Sequence, residues 1–177
     1  MVYPLPAVLV SCGDNERSNL VTVAWTGTIC TNPAMLYISL RPERHSYGII
    51  REKMEFTVNL TTGAMARATD WCGVKSGRDF DKWKETGLTP EKGVKVACPS
   101  VAESPLSIEC RVREIIPLGS HHMFVAEVLD VLADPELIDP ATGAFRLDRA
   151  GLMSYSHGAY FSQGPEIGRF GWSVKKK

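Results

Sequence analysis

At 177 residues, with 44% hydrophobic and 23% charged side chains, the chain has ordinary globular proportions and enough length to bury a core without disulfide or metal staples. Its 20 basic and 20 acidic residues leave a formal net charge of +0, which excludes capture of nucleic acid or an anionic membrane by bulk electrostatics. No apolar stretch approaches the ~20 residues that span a bilayer, and Cys12, Cys30, Cys72, Cys98 and Cys110 form neither a CxxC pair nor a metal-ligand spacing, which suits a reducing, cytoplasmic setting.

The opening MVYPLPAVLVSCG lacks a basic leader and predicts a first strand over Ala7 to Cys12, closed by the turn signature Gly13-Asp14-Asn15. In a second strand Leu20, Thr22, Ala24 and Thr26 share one face and Val21, Val23 and Trp25 the other, up to Asn32-Pro33. Leu36, Ile38 and Leu40 alternate with Tyr37, Ser39 and Arg41 in a third strand that stops at Pro42. Tyr47, Ile50 and Met54 recur at helical spacing, with Ser46 placed to cap the first turn, and Phe56, Val58 and Leu60 mark a fourth strand. A helical excursion follows: Thr62 heads a helix through Trp71 that Gly73 ends, and Asp79 heads another through Glu85 that Gly87 ends. Val94 to Ser104 reads as irregular.

Leu106, Ile108, Cys110 and Val112 against Ser107, Glu109, Arg111 and Arg113 is the cleanest period-two pattern, and predicts a strand with one wet face. Met123 to Leu132 predicts a strand buried on much of both sides. Leu152 to Phe161 is a last aromatic segment, and the terminal Lys175, Lys176 and Lys177 read as a solvated end. Short strands, one helical excursion and no repeated strand-helix alternation predict a mainly antiparallel β-barrel with helical insertions, in one domain over 1–177.

No GxGxxG follows a strand and no GxxxxGK[ST] or GxSxG occurs, so a nucleotide has to bind in some other way. His121 and His122 are adjacent on a strand and point to opposite faces, which argues against a shared metal. Arg41, Arg44, His45 and Ser46 precede the Tyr47 helix, whose first amides and positive dipole end suit a phosphate; surface charge at a strand-helix turn is the competing explanation. Lys82 could close on the same anion, although a lysine taken alone is most simply solvated.

Taken in order, NLVTVAWTG, NPAMLYISLRPERHSYGII, EFTVNL, ATDWCGVKSGRDFDKW, SPLSIECRVREIIPLGSHHMFVAEV, LMSYSHGAYF and IGRFGWSVKK resemble the flavin reductase-like, FMN-binding split-barrel family, from about Val8 to the C-terminus. The resemblance implies a Greek-key split β-barrel, a homodimer, and FMN held without a covalent bond near the subunit interface. By position it implies that Asn19 and Trp25 contact the flavin, with Thr22, Val23, Ala24 and Thr26 supplying strand backbone nearby. Ser46, where some relatives carry threonine, keeps a hydroxyl for the phosphate; Arg41, His45 and Tyr47 share its RPERHSY motif; Lys82, His121 and Tyr155 match further ligand-contacting positions. The implied activity is an NAD(P)H:flavin oxidoreductase, with NADH or NADPH as transient co-substrate. The alternative is an electron carrier of the flavoredoxin type, its FMN reduced by a redox protein partner. No catalytic acid or base is assigned, because the flavin carries the chemistry.

Overall fold

In the computed structural model, which describes residues 2–174, β1 (Leu5–Pro6) leads into β2 (Val8–Gly13), β3 (Ser18–Val23), β4 (Thr26–Thr31) and β5 (Ala34–Leu40), followed by α1 (His45–Lys53) and β6 (Glu55–Leu60). The helical excursion is a 3-10 turn (Gly63–Met65) running into α2 (Ala66–Val74), and then α3 (Lys82–Thr86). A two-residue pair, β7 (Pro90–Glu91) and β8 (Ser100–Val101), precedes the long strands β9 (Leu106–Pro117) and β10 (His122–Ala133) and the hairpin β11 (Met153–Ser156) and β12 (Ala159–Ser162). The lysines expected as a solvated end lie outside the described residues.

The main sheet has 7 strands in the order β3-β2-β6-β9-β10-β5-β4, all neighbours antiparallel. Its two edges are one stretch of chain, since β3 and β4 are separated only by Ala24 and Trp25. The segment predicted as a single strand therefore breaks there and changes partner, from β2 to β5. Ser39 N donates to Trp25 O at 2.8 Å, extending the β4-β5 ladder one residue beyond Thr26, so the two ends of the sheet meet in the chain at this seam. A second, 3-stranded sheet, β1-β11-β12, lies beside it.

Val8, Val10, Val21, Ile38, Phe56 and Phe124 fill the barrel, and Tyr47 and Ile50 of α1 pack into the same core. The opposite faces of β2 and β3 carry Leu9 and Leu20, which are buried with Met65, Cys72 and Leu88 of the helical excursion. With both faces covered, β2 needs a continuous apolar run, and each such fully buried side chain contributes ~1.5–3 kcal/mol.

Several expected details are corrected. Ser46 is not the cap of α1: Arg44 is, with no side-chain cap bond, and the Ser46 hydroxyl inside the first turn accepts from Asn19 Nδ2 at 2.7 Å. Met54 ends the helix in the left-handed region (φ 55). Thr62 makes no side-chain cap bond, and Gly73 lies within α2 rather than ending it. Asp81, not Asp79, caps α3 by accepting from Trp83 N and Lys84 N, while Gly87 (φ 71) ends it as its lack of a Cβ allows. The polar face of β9 is wet only in its far half, because Ser107 and Glu109 are buried and Arg111 and Arg113 are exposed. Glu109 is 0% exposed and accepts from Val94 N at 2.7 Å and Lys95 N at 2.6 Å. Along β10, buried Phe124 and Ala126 alternate with partly exposed neighbours, so this chain by itself covers one face of the strand.

Candidate functional site

Beside the start of α1 lies a cleft of about 300 Å³. The β5-α1 turn brings Arg41 and Arg44 to it, the α2-α3 connection brings Lys75 and Arg78, and α3 brings Lys82. Glu43 is the one acidic residue in its lining, and among the described residues none of those five cations is ion-paired. Lys82 is 4% exposed, with Nζ donating to Cys72 O at 2.7 Å. Burial, reinforced by the charge on Arg44, holds its pKa below the usual 10.5. An ammonium has three donors, and a buried one is costly until an anion completes its shell. Burial and the charges of Arg78, Arg17 and Lys82 likewise hold the His45 imidazole below 6.5. Gly77 passes so close to Asn19 that a Cβ there would collide with the Asn19 amide oxygen.

A second cleft, of about 380 Å³, runs from the barrel seam to the smaller sheet. Thr22, Val23, Ala24 and Trp25 line it from the β3-β4 switch, His121 from the approach to β10, and Tyr155 and Tyr160 from the terminal hairpin. The rings of Trp25 and His121 stack with centroids 4.4 Å apart. His121 Nδ1 lies 3.0 Å from Ser120 Oγ, and burial, then the charge on Arg41, lowers its pKa below 6.5. The Thr22 hydroxyl donates to Thr69 O, tying α2 to the strand that forms the floor. Arg41 and Arg44 line both clefts, so a slot with aromatic walls lies next to a cationic pocket.

The predicted residues divide between them. Asn19, Arg41, His45, Ser46 and Lys82 line the cationic cleft; Thr22, Val23, Ala24, Trp25, Arg41, His121 and Tyr155 line the aromatic one. Tyr47 joins neither, because its ring packs edge-on against Phe124 inside the barrel and its hydroxyl lies 2.7 Å from His122 Nδ1. Thr26 also lines neither, and its hydroxyl donates to Tyr37 O at 2.6 Å. Sequence reasoning missed Lys75, Gly77 and Arg78, for which the short run Lys75-Ser76-Gly77-Arg78 was the available signal. It also missed Asp70 and Tyr160, which line the aromatic cleft and are hydrogen-bonded at 3.1 Å.

The model of the flavin reductase like domain family matches residues 1–162. The chain belongs to this family. Among solved structures, the flavoredoxin of Desulfovibrio vulgaris (Miyazaki F) superposes with a TM-score of 0.90 at 29% identity, covering 99% of this chain and 95% of that one. An uncharacterized protein of Archaeoglobus fulgidus is 31% identical over 130 residues, 73% of each chain. The NADPH-flavin oxidoreductase of Streptomyces viridifaciens is 29% identical over 132 residues, 72% of this chain and 66% of that one. The mainly antiparallel split barrel with helical insertions is thus the fold of a flavin reductase like protein, and no helix among the described residues is long and apolar enough to cross a membrane.

Proposed function

We propose that this flavin reductase like protein binds FMN without a covalent bond in the two adjoining clefts and acts as an NAD(P)H:flavin oxidoreductase. The observation that carries the reading is that Arg41 and Arg44 belong to both clefts. A ligand for that shape is flat at one end and multiply anionic at the other, as FMN is. The donor set fits in kind, since a buried ammonium, guanidinium groups and the first amides of α1 all give hydrogen bonds to a phosphate. In this reading Lys82, Arg44 and Arg78 hold the phosphate, with Asn19 and Ser46 ordering the pocket floor. The strand from Thr22 to Trp25 borders the flat ring, and His121, stacked on Trp25, fixes the indole. The flavin, when bound, supplies the hydride-accepting chemistry. The protein binds, orients and shields, and no side chain is assigned as acid or base. Residues 1–177 act as one domain, in a homodimer and in the cytoplasm.

A flavoredoxin-type carrier, with tightly held FMN reduced by a protein partner, is favoured by the superposition over 99% of the chain. Anaerobic mixing of the FMN-loaded protein with NADH and with NADPH, following flavin absorbance, separates the two. The oxidoreductase reading expects at least one of them to bleach the bound flavin about tenfold or more faster than free FMN under the same conditions, because the two rings are held in register. Bleaching by dithionite but by neither nicotinamide within minutes puts the carrier in its place.

A further inference from the structure

One wall of the aromatic cleft has no task in the reading above. Tyr3, Tyr155 and Tyr160 line it, with centroids 6.4 Å apart for Tyr3 and Tyr155 and 5.5 Å for Tyr155 and Tyr160. Among the described residues Asp70 of α2 is the one carboxylate of the cleft lining, and Tyr160 donates its hydroxyl hydrogen to Asp70 Oδ1 at 3.1 Å. Among the described residues Asp70 has no ion-pair partner. A carboxylate opposes an anionic ligand in the same cleft, so its presence there points to a ligand of the other sign. Electron-rich phenol faces have the same preference, since their quadrupole attracts flat cations.

We propose that Asp70 and the tyrosine wall form a subsite for a flat aromatic cation, the pyridinium ring of an oxidised nicotinamide. The inference rests on the oxidoreductase reading. As the C4–H bond of a dihydronicotinamide breaks, a hydride, one proton with both bonding electrons, passes to the bound flavin, and the donor ring goes from neutral to a charge of +1. A site that favours the cationic ring favours the transition state over the neutral donor, which is the condition for lowering the barrier. Arg41 and Arg44 line the same cleft and oppose a cation; the phosphate in the adjoining pocket compensates them. Tyr160 is a positioning residue that holds the Asp70 carboxylate toward the cleft. Burial and the neighbouring carboxylate push its phenol up to about 12, so it stays a donor through the neutral range.

The test is a binding titration without turnover. FMN-loaded protein is titrated with 1-methylnicotinamide, a permanent cation, and with nicotinamide, the same ring uncharged, and binding is read as heat by isothermal titration calorimetry. The wild type should prefer the cation by about tenfold, and Asp70→Asn should cut that preference to about twofold. Tyr160→Phe should fall between, and both variants should bind FMN within about twofold of wild type. Equal affinity for the two probes in the wild type overturns the subsite, as does a full preference surviving in Asp70→Asn. Loss of FMN affinity in Asp70→Asn also overturns it, by showing that the carboxylate serves the flavin itself. Failure of the oxidoreductase reading shows elsewhere, as the absence of bleaching by NADH and NADPH, which this titration does not measure.

Discussion

Lys82 combines 4% exposure with a neutral carbonyl, Cys72 O, as its hydrogen-bond partner. A cation so placed is stabilised by a phosphate far more than a solvated lysine would be, since a charge-assisted bond contributes ~1.5–3 kcal/mol. Lys82→Met should therefore weaken FMN binding by about 10- to 100-fold and riboflavin binding by less than about threefold, measured by fluorescence quenching. Its depressed pKa gives the sign of the pH dependence. Between that pKa and 10.5 the unfolded chain holds the extra proton, so the free protein gains stability with rising pH in that window. A phosphate restores the proton, so FMN affinity should fall as pH rises through the same window, and Lys82→Met should flatten the slope. Arg41, His45 and Ser46 reach one cleft because they lie close together in the turn that leads into α1. Tyr47, in the same motif, was misplaced because successive helical residues diverge by about 100° and it faces the core. Asp70 and Tyr160, 90 residues apart, leave no local signal at all.

At the scale of elements, β9 illustrates where pattern reading ends. Its alternation predicted the strand and its faces correctly, but half of the wet face is covered by a segment drawn from elsewhere in the chain. Glu109 anchors that cover through two backbone amides, Thr57 Oγ1 lies 3.2 Å from Cys98 Sγ, and Asn59 Oδ1 accepts from Val101 N at 2.9 Å. Glu109→Gln turns one of the two acceptors into a donor facing an N–H group, and should cost about 1–3 kcal/mol in urea unfolding. Since no residue of 93–101 lines either cleft, FMN affinity in the folded variant should stay within about twofold of wild type. The helices show the same limit. Asp79 and Asp81 are equally good caps by composition, and only Asp81 takes the role, accepting from Trp83 N and Lys84 N.

For the whole molecule, the family resemblance carried the barrel type, while its closure was not legible: from Leu20 to Thr26 no Gly, Pro, Asn or Asp marks a break at Ala24 and Trp25. Ile29 and Val131, each 49% exposed, and Leu118, 60% exposed, leave apolar surface on β4, β10 and the turn between β9 and β10. The proposed homodimer would cover such surface. Sedimentation at micromolar concentration should give twice the chain mass, and a monomer that still holds FMN would exclude the dimer. Burial pushes the Cys12 thiol up to about 12, Cys98 to about 12 and Cys72 to about 11, and raises Cys110 as well, so burial holds these core thiols in the protonated form. The seam has a consequence of its own. The two amino acids at which the chain crosses from one edge of the sheet to the other also border the aromatic slot, so the barrel is fastened where its proposed ligand lies. In the proposed reading colour and heat resistance are linked, and protein stripped of FMN should unfold at a lower temperature than loaded protein.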